Sequence, residues 1–158
     1  MGRFLSALEI TPVARREYEY ISPLIYIDNK GRRWEAEKGR RTDLGSTWGI
    51  PIISELFDGL FPAACGIHDL GYDGKDPNGD DITRLEVDDI FHEATKDETR
   101  WMLEHGLEPT GEPWEAETMY LGVQMGGASA FRGEHDGYIT DEAKAAQDAM
   151  FGDGKEII

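Results

Sequence analysis

The pattern of apolar and polar residues along the chain changes character near residue 43. Before that point, aromatic and β-branched residues cluster in short runs at 18–22 and 24–27, which is typical of strands. The polar sequence Asp28-Asn29-Lys30-Gly31 is a turn signal, and a third short run follows it at 32–36. We therefore predict a small β-hairpin or sheet in the N-terminal part, residues 1–42.

After residue 43 the apolar spacing is helical. Pro62 suits the first turn of a helix that runs to about Tyr72, and Thr83 begins a long helix that stops at Gly106. Two further helices are predicted, at about 114–131 and 140–152. The expected fold class is α+β: a small N-terminal β-hairpin or sheet packed on a mainly α-helical body of about four helices, in a single domain spanning 1–158 with its helical part at 43–158.

The first of these helices carries an adjacent histidine and aspartate, His68 and Asp69. Because each helical residue turns by about 100°, His68 falls in the apolar stripe and should be largely buried. A buried imidazole needs hydrogen-bond partners, and a carboxylate would orient the ring. On the long helix, Asp88 flanks the apolar stripe while Asp89 points away from it. We therefore expect Asp88 to reach His68 and Asp89 to face solvent.

The residues of this predicted site, and a later segment that resembles it, also have simpler interpretations. His68 could be a satisfied core residue without chemistry, and Arg84 with Asp88 could be only a surface pair one helical turn apart. A later segment, His135-Asp136-Gly137-Tyr138, repeats the His–Asp pattern, but its glycine-rich context indicates a loop, and we interpret the repeat as chance.

A compact loop, residues 41–47, separates the β part from the helices and contains Asp43, Leu44, Gly45 and Ser46. Hard cations such as Ca²⁺ bind carboxylates and backbone carbonyls in loops of this kind. Asp43 and Asp69 would give two carboxylates to one ion, and His68 beside them could activate water.

Composition narrows the classes of function. The net charge of −16 argues against direct nucleic-acid binding, although residues 1–42 carry +3 and the remainder −19. No apolar run approaches the ~20 residues of a membrane span, and the N-terminus is a poor secretory signal. The single cysteine, Cys65, excludes an intrachain disulfide.

The order of three motifs resembles a bacteriophage and prophage family of unknown function over roughly residues 20–130. The motifs are Thr42-Asp43-x-x-Ser46, His68-Asp69-x-x-Tyr72 and Arg84-x-x-x-Asp88-x-x-Phe91. The resemblance implies a protein of the virion or of the host cytoplasm, and it carries no activity that can be transferred.

Part of the same pattern, Cys65-x-x-His68-Asp69-x-Gly71-Tyr72 followed by Asp88-x-x-Phe91, resembles the helix pair of prokaryotic phospholipase A2 enzymes. That resemblance implies His68 as the base, Asp88 as its orienting group, and Tyr72 as a supporting hydrogen-bond donor. It also implies Ca²⁺ held by the Asp43 side chain, the Leu44 carbonyl and Asp69. The loop cysteine of those enzymes is Gly45 here, so Cys65 lacks its disulfide partner, and the N-terminal β segment is not part of their fold.

These observations predict a phage-type protein with a Ca²⁺-dependent hydrolase site acting on a phospholipid or another ester. The alternative is a non-catalytic virion, tail or assembly component that keeps the helix pair for structure and binds a phage protein. A third hypothesis is a small regulator of a host protein. The apolar segment 48–61 would serve a lipid or protein interface if exposed, and otherwise it fills the core.

Overall fold

A computed structural model describes residues 1–44 and 59–138 of the chain. Within those ranges, six short strands form two antiparallel sheets, and three α-helices follow them. The predicted α+β class is thereby confirmed. The segment 45–58, which includes Gly45, Ser46 and most of the apolar run, and the predicted fourth helix at 140–152 lie outside the described residues.

The strands are β1 (Arg3–Phe4), β2 (Ile10–Ala14), β3 (Glu17–Tyr20), β4 (Leu24–Ile27), β5 (Arg33–Ala36) and β6 (Arg41–Thr42). One sheet has the order β1-β4-β5 and the other β2-β3-β6. The predicted hairpin is the β4–β5 pair, in which Tyr26 lies opposite Trp34 across the turn at 28–32. The two predicted strands before that turn, β3 and β4, pair in different sheets rather than with each other.

The helices are α1 (Pro62–Gly71), α2 (Arg84–Glu104) and α3 (Pro113–Gly126), and a short 3₁₀ turn, Gly127–Ser129, follows α3. The Thr83 side chain caps α2 by accepting from the Glu86 backbone N–H at 3.1 Å, as predicted. The Glu86 carboxylate, which would complete a capping box by accepting from the Thr83 backbone N–H, instead accepts hydrogen bonds from Lys30 and Arg32. The third helix ends five residues before the predicted Phe131, at a pair of glycines that favours termination.

Helices α1 and α2 pack on each other, and the sheet of β1, β4 and β5 packs on both of them. Two glycines of α1 allow this close packing. A Cβ at Gly71 would lie 2.5 Å from the Val87 Cγ1 atom of α2, and a Cβ at Gly66 would collide with the Tyr20 hydroxyl. The buried Tyr26 hydroxyl donates to Asp97 of α2 at 2.6 Å, which fixes the sheet to the long helix.

The start of α1 has an unusual cap. Its N-cap residue, Phe61, has φ 45° and gives no side-chain hydrogen bond. Instead, the buried Glu98 carboxylate of α2 accepts from the backbone N–H groups of Ala63 at 3.0 Å and Ala64 at 3.1 Å. One side chain of α2 therefore satisfies two of the N–H groups that a helix leaves unpaired at its start. Among the described helices, none combines the length and the apolarity that crossing a bilayer requires.

Candidate functional site

The carboxylate of Asp88 is the centre of the candidate site. Asp88 lies on α2 with no solvent exposure, and its Oδ1 atom is 2.7 Å from Nε2 of His68 on α1. An ionised carboxylate only accepts hydrogen bonds, so Nε2 carries the proton. In the neutral ring, the lone pair able to accept a proton is therefore on Nδ1. The contact and the burial predicted for His68 are both confirmed.

Two tyrosines hold the same carboxylate. The hydroxyl of Tyr72, the residue directly after α1, donates to Oδ1 at 2.7 Å, and the Tyr138 hydroxyl donates to Oδ2 at 2.5 Å. Burial, followed by the negative charge of Asp88, raises the pKa of Tyr72 far above its usual range. Burial and the bond to Asp88 do the same to the pKa of Tyr138. Both hydroxyls therefore remain neutral donors at any ordinary pH.

Arg84 supplies the positive charge of this cluster. Its Nη1 atom lies 3.5 Å from Oδ2 of Asp88, and the same atom donates to the carbonyls of Val123 and Gln124 near the end of α3. Its Nε atom donates to Asp136 at 2.8 Å. Arg84 and Asp88 are both buried, so the interpretation as a surface pair is wrong. An uncompensated buried carboxylate would be costly, and Arg84 offsets that cost.

Aromatic rings enclose the imidazole. The His68 ring centroid is 4.1 Å from that of Tyr72 and 5.1 Å from that of Phe91. The ring is therefore fixed on two sides by packing and at Nε2 by Asp88. The neighbouring Asp89 is exposed and accepts a hydrogen bond from Tyr120, which confirms the predicted difference between the two aspartates.

Asp69 points to an open pocket of about 750 Å³, which Asp43 also lines. Arg40 lies near the Asp69 carboxylate, with Nη2 3.6 Å from Oδ2. Burial, and then repulsion from Asp43, raises the pKa of Asp69 above its ordinary value. Asp43 is therefore close enough to destabilise the charge of Asp69, a repulsion that a bound cation would relieve.

The Leu44 backbone is held at φ 52°, and its N–H donates to the Thr42 hydroxyl at 3.1 Å. Across residues 1–44 and 59–138, no group of three or more His, Cys, Asp or Glu side chains is arranged to hold a metal. The predicted ligand set contains only two such side chains, Asp43 and Asp69, together with the Leu44 carbonyl. Carboxylate and carbonyl oxygens are the donor type that Ca²⁺ binds, and a full Ca²⁺ shell needs about 6–8 of them.

Two residues of the cluster were not expected from the sequence. The segment interpreted as a chance repeat, His135–Tyr138, supplies Asp136 to Arg84 and Tyr138 to Asp88, so that interpretation is wrong. It is indeed irregular in structure, as its glycines indicate, but it folds back against the start of α2. The signal that could have identified it is the second His–Asp pair, in which a tyrosine follows the aspartate by two residues rather than by three as in His68-Asp69-x-x-Tyr72.

The fold and the site define a small α+β protein built around a buried His–Asp pair. The chain belongs to a family described as a protein of unknown function, DUF1353, whose model matches residues 18–123. The match includes His68, Tyr72, Arg84 and Asp88, and it ends before Tyr138. No curated protein and no solved structure matched the chain.

Proposed function

We propose that this protein is a phage- or prophage-type hydrolase with a phospholipase A2-like, Ca²⁺-dependent site. The observation that carries the proposal is the buried His68–Asp88 pair, whose carboxylate is held by the hydroxyls of Tyr72 and Tyr138. A histidine that only fills the core needs one hydrogen-bond partner. Here the imidazole ring is fixed by Asp88, and the Asp88 carboxylate is itself fixed by two tyrosine hydroxyls. Such fixing is what a general base requires.

In the proposed reaction, Nδ1 of His68 takes a proton from water while the water oxygen attacks the carbonyl carbon of an ester. Asp88 stabilises the imidazolium that forms, and its two tyrosine partners keep the carboxylate in place. The ester C–O bond then breaks, and His68 returns the proton to the departing alkoxide. The products are a carboxylic acid and an alcohol, so atoms and charge balance.

Asp43, Asp69 and the Leu44 carbonyl would hold Ca²⁺, which when bound supplies positive charge for the oxygen of the polarised carbonyl. Asp69 adjoins His68 in the sequence, which supports placing the ion next to the base. The alternative position, at the buried cluster itself, is disfavoured because Arg84 already compensates the charge of Asp88.

The test measures fatty-acid release from phospholipid vesicles and hydrolysis of water-soluble esters by the native chain, with Ca²⁺ or with a chelator. Turnover that depends on Ca²⁺ is expected, together with Ca²⁺ binding that is weakened in Asp69→Asn. A matched control is Asp89→Asn, because Asp89 is exposed and contacts Tyr120 rather than the site. Absence of turnover on every ester with Ca²⁺ present would contradict the proposal.

The second candidate is a non-catalytic virion or assembly component, and the surface of α3 favours it. Trp114, Leu121 and Met125 are 64%, 54% and 72% exposed and recur on one face of the helix. Such a stripe is typical of a protein-binding surface. Inactive native protein that associates with purified phage particles, and loses that association in Trp114→Ser, would favour this candidate over the hydrolase.

A further inference from the structure

The open pocket beside Asp69 is rich in arginine. Five of the chain's ten arginines line it, although the chain as a whole carries a net charge of −16. They come from three separate parts of the fold: the turn between β2 and β3, the start of β6 with the residue before it, and the segment after α3. These residues are Arg15, Arg16, Arg40, Arg41 and Arg132.

The acidic residues of the pocket do not account for all of this charge. Arg41 is paired with Glu17 at 3.5 Å and Arg132 with Asp73, and Nη2 of Arg40 lies 3.6 Å from Asp69 and 3.5 Å from Asp73. Arg15 and Arg16 are exposed at the tip of their turn and form no ion pair with any residue in the described parts of the chain. Two guanidinium groups are therefore presented at the rim of a pocket without acidic partners there.

Two further features indicate that these donors serve a ligand. Arg16 has φ 57°, a left-handed conformation that a two-residue hairpin turn usually gives to glycine or asparagine. Arginine at this position carries a conformational cost that its side chain does not recover within the described structure. The Arg40 side chain is partly exposed and its Nη2 atom pairs with Asp69 and Asp73, but its Nε atom is buried and has no hydrogen-bond partner among the described residues. A buried N–H donor of this kind calls for an acceptor.

We propose that this pocket binds a phosphate group of the substrate, through Arg15 and Arg16 at the exposed turn and Arg40 beside Asp69. Guanidinium groups present forked N–H donors that match the oxygens of a phosphate. A volume of about 750 Å³ accommodates a phosphate together with the molecule that carries it. The role as a substrate subsite rests on the proposed hydrolase, in which Asp69 of this pocket would hold Ca²⁺ next to the base His68, but the binding itself does not.

The experiment titrates the full chain with inorganic phosphate and, separately, with glycerol 3-phosphate, at low ionic strength and with binding followed by NMR. The test variant is Arg15→Gln/Arg16→Asn, which removes two charges while asparagine tolerates the left-handed turn. The control is Arg33→Gln/Lys38→Gln, which removes the same charge from exposed residues outside the pocket.

The native chain and the control are expected to bind with similar Kd, and the test variant about tenfold more weakly or worse. Tighter binding of glycerol 3-phosphate than of inorganic phosphate would support the proposal and indicate that the bound phosphate belongs to a lipid-type headgroup. Equal binding of the two probes would support the proposal and indicate that the ligand is free phosphate. Failure of the native chain to bind either probe, or equal weakening in the control, would overturn the proposal.

Hydrolysis by the native chain and by His68→Asn, measured in parallel, separates this inference from the proposed function. Phosphate binding that depends on Arg15 and Arg16, in a chain without esterase activity, would support the pocket and contradict the hydrolase. Esterase activity without phosphate binding would contradict the pocket alone.

Discussion

Glu98 gives the sharpest prediction about the stability of the scaffold that holds His68. Its carboxylate is buried between α2 and the first turn of α1, where it accepts the N–H groups of Ala63 and Ala64. Burial raises its pKa from the ordinary value of 4.5 to about 7, and the two N–H groups offset only part of that effect. The perturbation is Glu98→Gln, which removes the charge and keeps a similar shape.

The sign follows from the two pKa values. Between pH 4.5 and 7 the folded chain retains the Glu98 proton while the unfolded chain has lost it, so the free energy of unfolding falls as the pH rises through this window. Each pH unit in the window corresponds to about 1.4 kcal/mol, which gives ~3 kcal/mol in total. The contribution is fully present below pH 4.5 and is lost above pH 7.

The assay is urea denaturation at intervals from pH 4.5 to 8, followed by tryptophan fluorescence. The native chain should lose ~3 kcal/mol relative to Glu98→Gln across this range. Glu104→Gln, an exposed glutamate of the same helix, is the matched control and should keep the native slope. A difference between the native chain and Glu98→Gln that does not change with pH would refute the reasoning.

Three further predictions use the same unfolding measurement. Gly66→Ala places a methyl group against the buried Tyr20 hydroxyl and should cost about 1–3 kcal/mol; a neutral result would contradict the packing. Tyr138→Phe removes one hydroxyl from Asp88 and should cost about 1–2 kcal/mol, so an unchanged midpoint would argue against that contact. Burial raises the pKa of Asp28, but its hydrogen bonds outweigh this and leave it lowered. Asp28→Asn should therefore destabilise at pH 7 and progressively less below about pH 4, and a loss independent of pH would count against it.

Local pattern was sufficient to predict the three described helices and the β4–β5 hairpin, because those elements depend on residues close in sequence. Three strands, β1, β2 and β6, were not predicted from the pattern, and each omission has a physical reason. β1 and β6 are two residues long, which is too short to show an alternation of apolar and polar residues. β2 contains Pro12, which argues against an interior strand, but β2 is an edge strand of its sheet, where proline is tolerated.

Helix phase was also sufficient to choose Asp88 over Asp89 and to bring Tyr72 to the same side as His68. It could not predict the rest of the cluster. Tyr138 lies 50 residues from Asp88 in the sequence, and Glu98 is 34 residues from Ala64. Contacts between an irregular segment and a helix leave no period in the sequence, so only the folded chain shows them.

The most direct test of the account is the initial rate of Ca²⁺-dependent ester hydrolysis by His68→Asn compared with the native chain and with His92→Asn. His92 is the matched control because it lies on α2, bonded to Glu117 and outside the Asp88 cluster. If His68 is the general base, its variant should lose about 100-fold or more while His92→Asn keeps the native rate. Equal rates in all three proteins would contradict a catalytic role for the His68–Asp88 pair.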